Sequence, residues 1–166
     1  MKDVTNDGPE AFDNVYALSM SKPDESITAT REVGIEIVKL DVGFSIEIED
    51  RYTIFNTSNE NIDIEFVYMY NMNHNGTRPV FVDEDGTIVG KAGTPIRVTI
   101  PANEHFTING QYSKKADGDV ELLDYYIHGC QFTNLDVTET WVTINRDGNV
   151  EIVQIDPIED YYLELN

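Results

Sequence analysis

The sequence predicts an all-β chain folded as an antiparallel sandwich of about eight to ten strands. Apolar and polar residues alternate with a period of two in several segments, as a strand with one wet face requires. Turn-forming residues separate those segments at intervals of roughly ten residues, and no stretch carries a sustained helical period. The 166 residues fit one domain, and the abundance of Ile, Val, Phe and Tyr within a 40% hydrophobic composition suits pleated, half-buried surfaces.

Residues 1–14 are polar and hold Gly8 and Pro9, a composition that cannot repay ordering entropy by burial. They read as a flexible N-terminal arm ahead of a single domain over 15–166. In "VYALSMSKPDESITAT", residues 15–30, a short apolar patch precedes a turn-prone run, which predicts a first edge strand. "SIEIED" alternates Ile46 and Ile48 with Ser45, Glu47 and Glu49. "IDIEFVYMY" sets Ile62, Ile64, Phe66, Tyr68 and Tyr70 on one side, while Val67 and Met69 on the other predict that its second half is covered on both faces. The Asn- and Ser-rich "FNTSNENI" between these two strands reads as a hairpin connection.

"FVDEDGTIV", residues 81–89, places three carboxylates and a glycine between two apolar pairs. An EF-hand loop would set its glycine at another offset and a Glu at its twelfth position, where this chain has Thr94. A strand reversal with positive φ at Asp85-Gly86 fits better; a calcium loop through Asp83 and Asp85 is the alternative. "PIRVTIPANEHFTINGQY" predicts a further strand pair about the corner Pro101-Ala102-Asn103, and "WVTINRDGNVEIVQI" a hairpin through Asp147-Gly148, with Trp141 buried as a cap on the core.

The succession "YTIFNTSNENIDIEF", "VFVDEDGTIVG" and "VTIPANEHFTING" resembles bacterial immunoglobulin-like accessory domains, including the intracellular proteinase inhibitor type and small lipoprotein sandwiches. The likeness spans residues 52–112. It implies an immunoglobulin-like sandwich and carries over no catalytic or inhibitory residue.

Asp and Glu number 31 against 11 Lys and Arg, a formal charge of −20. Such a field repels phosphate backbones and anionic lipid, so direct nucleic-acid binding is not expected, and no apolar run is long enough for membrane insertion. Cys130 is the only cysteine, so no intrachain disulfide forms. The opening "MKDVTNDGPEAFDN" lacks the apolar core of a signal peptide but has the composition of a tether after a removed leader. The expectation is an extracytoplasmic or secreted protein if the start is trimmed, and a cytoplasmic one otherwise.

His74, His105 and His128 stand apart from one another in no zinc-binding pattern. His128 and Cys130 share a side if "HGC" is extended, yet same-side neighbours on a strand stand about 6–7 Å apart and no third orienting group accompanies them. Glu47 and Glu49 read as a solvated strand face rather than a glycosidase pair. Neither catalysis nor a cofactor is therefore expected. Tyrosine contributes contact area with few rotors, which makes Tyr68, Tyr70, Tyr125 and Tyr126, with His74, the candidate binding residues, in or near end loops 71–78 and 114–119. The first functional reading is a non-catalytic interaction or accessory domain that binds a protein or glycan. The alternative is an intracellular acidic inhibitor, perhaps encoded by a phage, that imitates nucleic acid and blocks a basic partner.

Overall fold

The computed structural model describes residues 18–41, 44–68, 80–91, 93–116, 124–127 and 133–164. Every regular element among them is a strand: β1 (Leu18–Met20), β2 (Ile27–Lys39), β3 (Phe44–Asn56), β4 (Ile62–Tyr68), β5 (Val80–Val82), β6 (Ile88–Lys91), β7 (Ile96–Ile100), β8 (His105–Ala116), β9 (Asp124–Ile127), β10 (Asp136–Arg146), β11 (Asn149–Ile155) and β12 (Tyr161–Glu164). The all-β expectation holds, and the strand count exceeds it. β1, β5, β6, β9 and β12 have only three or four residues, too few to display an alternation in the sequence.

A seven-stranded sheet runs in the order β11-β10-β2-β3-β8-β5-β6, beside a three-stranded sheet β1-β4-β7 and a two-stranded sheet β12-β9. β1 is an edge strand, as expected. The long sheet is mixed rather than antiparallel throughout, because β10 lies parallel to β2. A parallel neighbour needs a crossover connection, and here the whole chain between β2 and β10 serves as one.

Both small sheets cover one face of the long sheet. Ile27 and Ala29 of β2, Tyr52 and Ile54 of β3 and Ile108 of β8 pack with Leu18, Phe66, Tyr68, Ile96 and Ile100 of the three-stranded sheet. Further along the same strands, Val33, Ile35, Ile37, Ile46 and Ile48 pack with Ile127 and Leu163 of β9 and β12. The odd-numbered residues of β2 from Ile27 to Ile37 thus face inward, which leaves Thr30, Glu32, Gly34 and Glu36 on the opposite face.

Two connections expected within strand pairs instead carry the chain between sheets. β3 and β8 belong to the long sheet, β4 and β7 to the three-stranded one, so 57–61 and 101–104 are neighbouring corners. The buried Asn56 joins them. Its Nδ2 donates to the carbonyls of Glu60 (2.7 Å), Ile100 (2.9 Å) and Pro101 (3.2 Å), while its Oδ1 accepts from Ser58 N and Oγ. Asn103 takes the left-handed conformation at φ 59° and donates its N–H to Ser58 O. A corner and a hairpin use the same turn chemistry, which is why sequence alone does not separate them.

The two acidic reversals are hairpins. Asp147 (φ 54°) and Gly148 (φ 91°) are both left-handed between the paired residues Arg146 and Asn149, the arrangement a two-residue turn requires. In 81–89, β5 pairs with β6, and only Gly86 has positive φ, not Asp85. Asp83 Oδ1 accepts from the N–H groups of Asp85 (2.9 Å) and Thr87 (3.0 Å), so that carboxylate closes the turn.

Trp141 does not cap the core. Thr140, Val142 and Ile144 point inward, so period two turns Trp141 to the opposite face, where it is 36% exposed.

Candidate functional site

Among the described residues, no element covers the face of the long sheet away from the core. Strand pairing sets its side chains in transverse rungs, with neighbouring strands about 4.8 Å apart. One rung reads Val150–Asn145–Glu36–Glu47–Ser113, the next Ile152–Thr143–Gly34–Glu49–Gln111–Val80, and the third Gln154–Trp141–Glu32–Arg51–Asn109–Val82. Four exposed carboxylates, Glu32, Glu36, Glu47 and Glu49, therefore stand on adjacent strands with one guanidinium, Arg51. Like charges placed directly opposite across a strand pair oppose folding, and Glu36 faces Glu47 in that way.

Several shallow depressions mark this face, two of them reaching Gly34 or Glu32. One, of about 310 Å³, lies over Gly34 and is walled by Glu36, Glu47, Glu49, Thr143 and Asn145. A Cβ at Gly34 would meet nothing closer than Glu49 at 4.0 Å, so the missing side chain creates the space. The other, of about 520 Å³, runs past Glu32, Glu49, Arg51, Asn109 and Gln111 toward the turn at Asp83 and Glu84. Asn109 is only 7% exposed; its Nδ2 reaches Glu49 Oε1 at 3.4 Å, and its Oδ1 has no hydrogen-bond partner. A buried acceptor left without a donor is costly unless something supplies one.

The outer face of the three-stranded sheet also bears a small depression, but its polar groups satisfy one another. Ser21 Oγ donates to Glu65 Oε1 (2.7 Å), Arg97 Nε pairs with Glu65 Oε2 (2.7 Å), and Thr99 donates to Asp63. The hydrogen bond from Ser21, and then that from Arg97, hold the Glu65 carboxyl below its ordinary pKa.

Of the predicted binding residues, Tyr68, Tyr125 and Tyr126 are among the described ones. Tyr68 is 1% exposed in the core and donates from its hydroxyl to Asp50 Oδ2 at 3.1 Å, which corrects its assignment to a recognition surface. Its place in the alternation with Ile64 and Phe66 sends it inward. Tyr125 and Tyr126 lie on β9, in register with Leu163 and Tyr162. Tyr70, His74, loop 71–78, residues 117–119 and the pair His128 and Cys130 fall outside the described residues. His105 lies 3.3 Å from Glu84 and near the Phe55 ring. Asn56-Thr57-Ser58 has the Asn-x-Ser pattern of a glycosylation sequon, but the corner consumes it: Asn56 is 2% exposed, with its amide committed to three carbonyls. Among the described residues no group of three or more His, Cys, Asp or Glu side chains stands close enough to hold a metal ion.

Sequence reasoning missed one group. Arg31 and Asp50, both 0% exposed, form a two-point ion pair, Nε to Oδ1 at 2.8 Å and Nη2 to Oδ2 at 3.0 Å. Tyr52 and Tyr68 hydroxyls also approach Asp50 Oδ2, Arg31 lies over the Tyr52 ring, and Leu18 N–H donates to the Tyr52 hydroxyl. The signal was present, since each charge interrupts an inward apolar series, Ile27-Ala29-Arg31-Val33 and Ile46-Ile48-Asp50-Tyr52. Closed off from solvent between the two core clusters, this group supports structure rather than recognition.

No family model matches the chain, and no curated protein matches it. A solved structure from Legionella pneumophila, described as a "putative nutrient binding protein", aligns over 79% of this chain and 55% of its own, with 12% sequence identity and a TM-score of 0.48. This chain thus spans about half the length of that protein.

Proposed function

We propose that the chain is an immunoglobulin-like sandwich that acts as a non-catalytic, extracytoplasmic binding domain and recognises a protein partner through the open face of its long sheet. One observation carries the reading. The small sheets cover one face of the long strands, while the other presents polar side chains on rungs that cross β10, β2, β3 and β8. Those groups are spread over a broad surface rather than drawn to one point, which suits recognition better than bond chemistry. The placement differs from the end loops and tyrosines expected from sequence, and the exposed Trp141 takes the role of aromatic anchor.

Imitation of nucleic acid draws less support. Exposed carboxylates also surround the turns at both ends, at Glu25, Glu60, Glu104, Asp147 and Glu151, and so trace no single phosphate-like track.

Amide chemical-shift mapping against a panel of peptides and soluble glycans tests the reading. Saturable shifts over β2, β3, β8 and β10, with the ligand recovered unaltered, are expected. Shifts confined to the end loops, or turnover of a panel compound, would overturn it.

A further inference from the structure

The open face divides into two strips of different chemistry. Val150 (59% exposed), Ile152 (63%) and Trp141 form an apolar strip along β11 and β10. Beside it, across Asn145 and Thr143, stand Glu36, Glu47 and Glu49 around the depression over Gly34. Glu36 and Glu47 oppose each other, and among the described residues neither carboxylate makes a hydrogen bond or ion pair. A cation seated between them would relieve their repulsion. The apolar strip supplies a second, independent requirement, because Val150 and Ile152 are large apolar side chains left more than half exposed.

We propose that the open face docks a basic, amphipathic polypeptide segment. A lysine or arginine head sits over Gly34 among Glu36, Glu47 and Glu49, and the apolar side of the segment lies on Val150, Ile152 and Trp141. The formal charge of −20 speeds the approach of such a partner and repels acidic competitors. The inference rests on the open-face reading above and adds the chemistry of the occupant.

The test titrates the full chain with a short synthetic peptide of alternating Lys and Leu, using Glu–Leu and Thr–Leu peptides as controls. Calorimetry gives affinity, and Trp141 fluorescence reports on the face itself. Saturable binding of the Lys–Leu peptide with an emission change is expected. The triple variant Glu36→Gln/Glu47→Gln/Glu49→Gln should weaken binding by about tenfold or more. Gly34→Val fills the depression without changing charge and should weaken it by roughly threefold. Glu25→Gln/Glu60→Gln/Glu104→Gln, remote from the face, should leave affinity unchanged, and thermal melts confirm that each variant is folded. Equal loss in the remote triple, no loss in the open-face triple, or no binding of the Lys–Leu peptide would each overturn the proposal. Should Thr–Leu bind as well as Lys–Leu with the same Trp141 response, the basic occupant is wrong while the open-face reading stands. Binding without any Trp141 response would count against both.

Discussion

Arg31 and Asp50 form a fully buried, two-point ion pair where the two halves of the core meet. The apolar residues around Ile27 lie on one side and those around Ile35 on the other, so the pair is shielded from water along the strands as well as across the sheets. Removing one partner strands a charge in an apolar layer. Arg31→Met or Asp50→Asn should therefore cost about 3–5 kcal/mol in denaturant unfolding, and Arg31→Met/Asp50→Leu should recover much of the loss. A double variant no more stable than its parents would show that the pair is not isolated in this way.

Asn56 performs the same office at the corners by filling backbone carbonyls of both connections. Asn56→Ala leaves those acceptors buried and bare, and about 2–3 kcal/mol of stability should be lost. Asn56→Asp should be no milder, since a carboxylate cannot donate. If either variant melts with the wild type, the two corners are held by other contacts.

Burial first, and then the charge of Asp50, raises the pKa of Tyr68 well above its ordinary value of 10.0. Above that ordinary value the unfolded chain releases the phenolic proton while the folded chain keeps it, so stability is full below pH 10 and falls as pH climbs further. Tyr68→Phe should lose the hydrogen bond to Asp50 at neutral pH, worth about 1.5–3 kcal/mol, and should show a shallower alkaline decline. Chemical denaturation at neutral and alkaline pH reads both effects. An identical alkaline slope in the variant would remove Tyr68 as its source.

Much of the architecture is legible in the sequence because a strand with one wet face must alternate. β3, β4, β8 and β10 announce themselves in that way, and Asp147-Gly148 marks its turn through the conformations only such residues accept readily. Partnership is less legible. Nothing local distinguishes the corner after Asn56 from a hairpin, and nothing within β10 indicates that it runs beside β2. The open face is half legible: the outward glutamates of "SIEIED" are evident, whereas their opposition to Glu36 depends on a register fixed only in the folded sheet. The outward turn of Trp141 could have been taken from Val142 and Ile144, whose inward direction fixes it.

Gly148 adopts φ 91° at the tip of the last hairpin, and an added Cβ would meet no atom within 4 Å. Gly148→Val therefore isolates backbone strain from packing. A loss of about 1–3 kcal/mol is expected with the core untouched. An unchanged melting temperature would mean that the turn relaxes to another form.

The single tryptophan stands on an open, acidic sheet face, and quenching of its fluorescence by ions of opposite sign tests that placement most directly. Trp141 stands beside Glu32 on one rung, with the other carboxylates of the face close by. Caesium should be concentrated there and iodide repelled at low ionic strength. Efficient quenching by caesium and weak quenching by iodide are expected, each relative to free tryptophan, with the contrast reduced by added salt and by Glu32→Gln/Glu36→Gln/Glu49→Gln. Equal quenching by both ions, or quenching by neither, would contradict it.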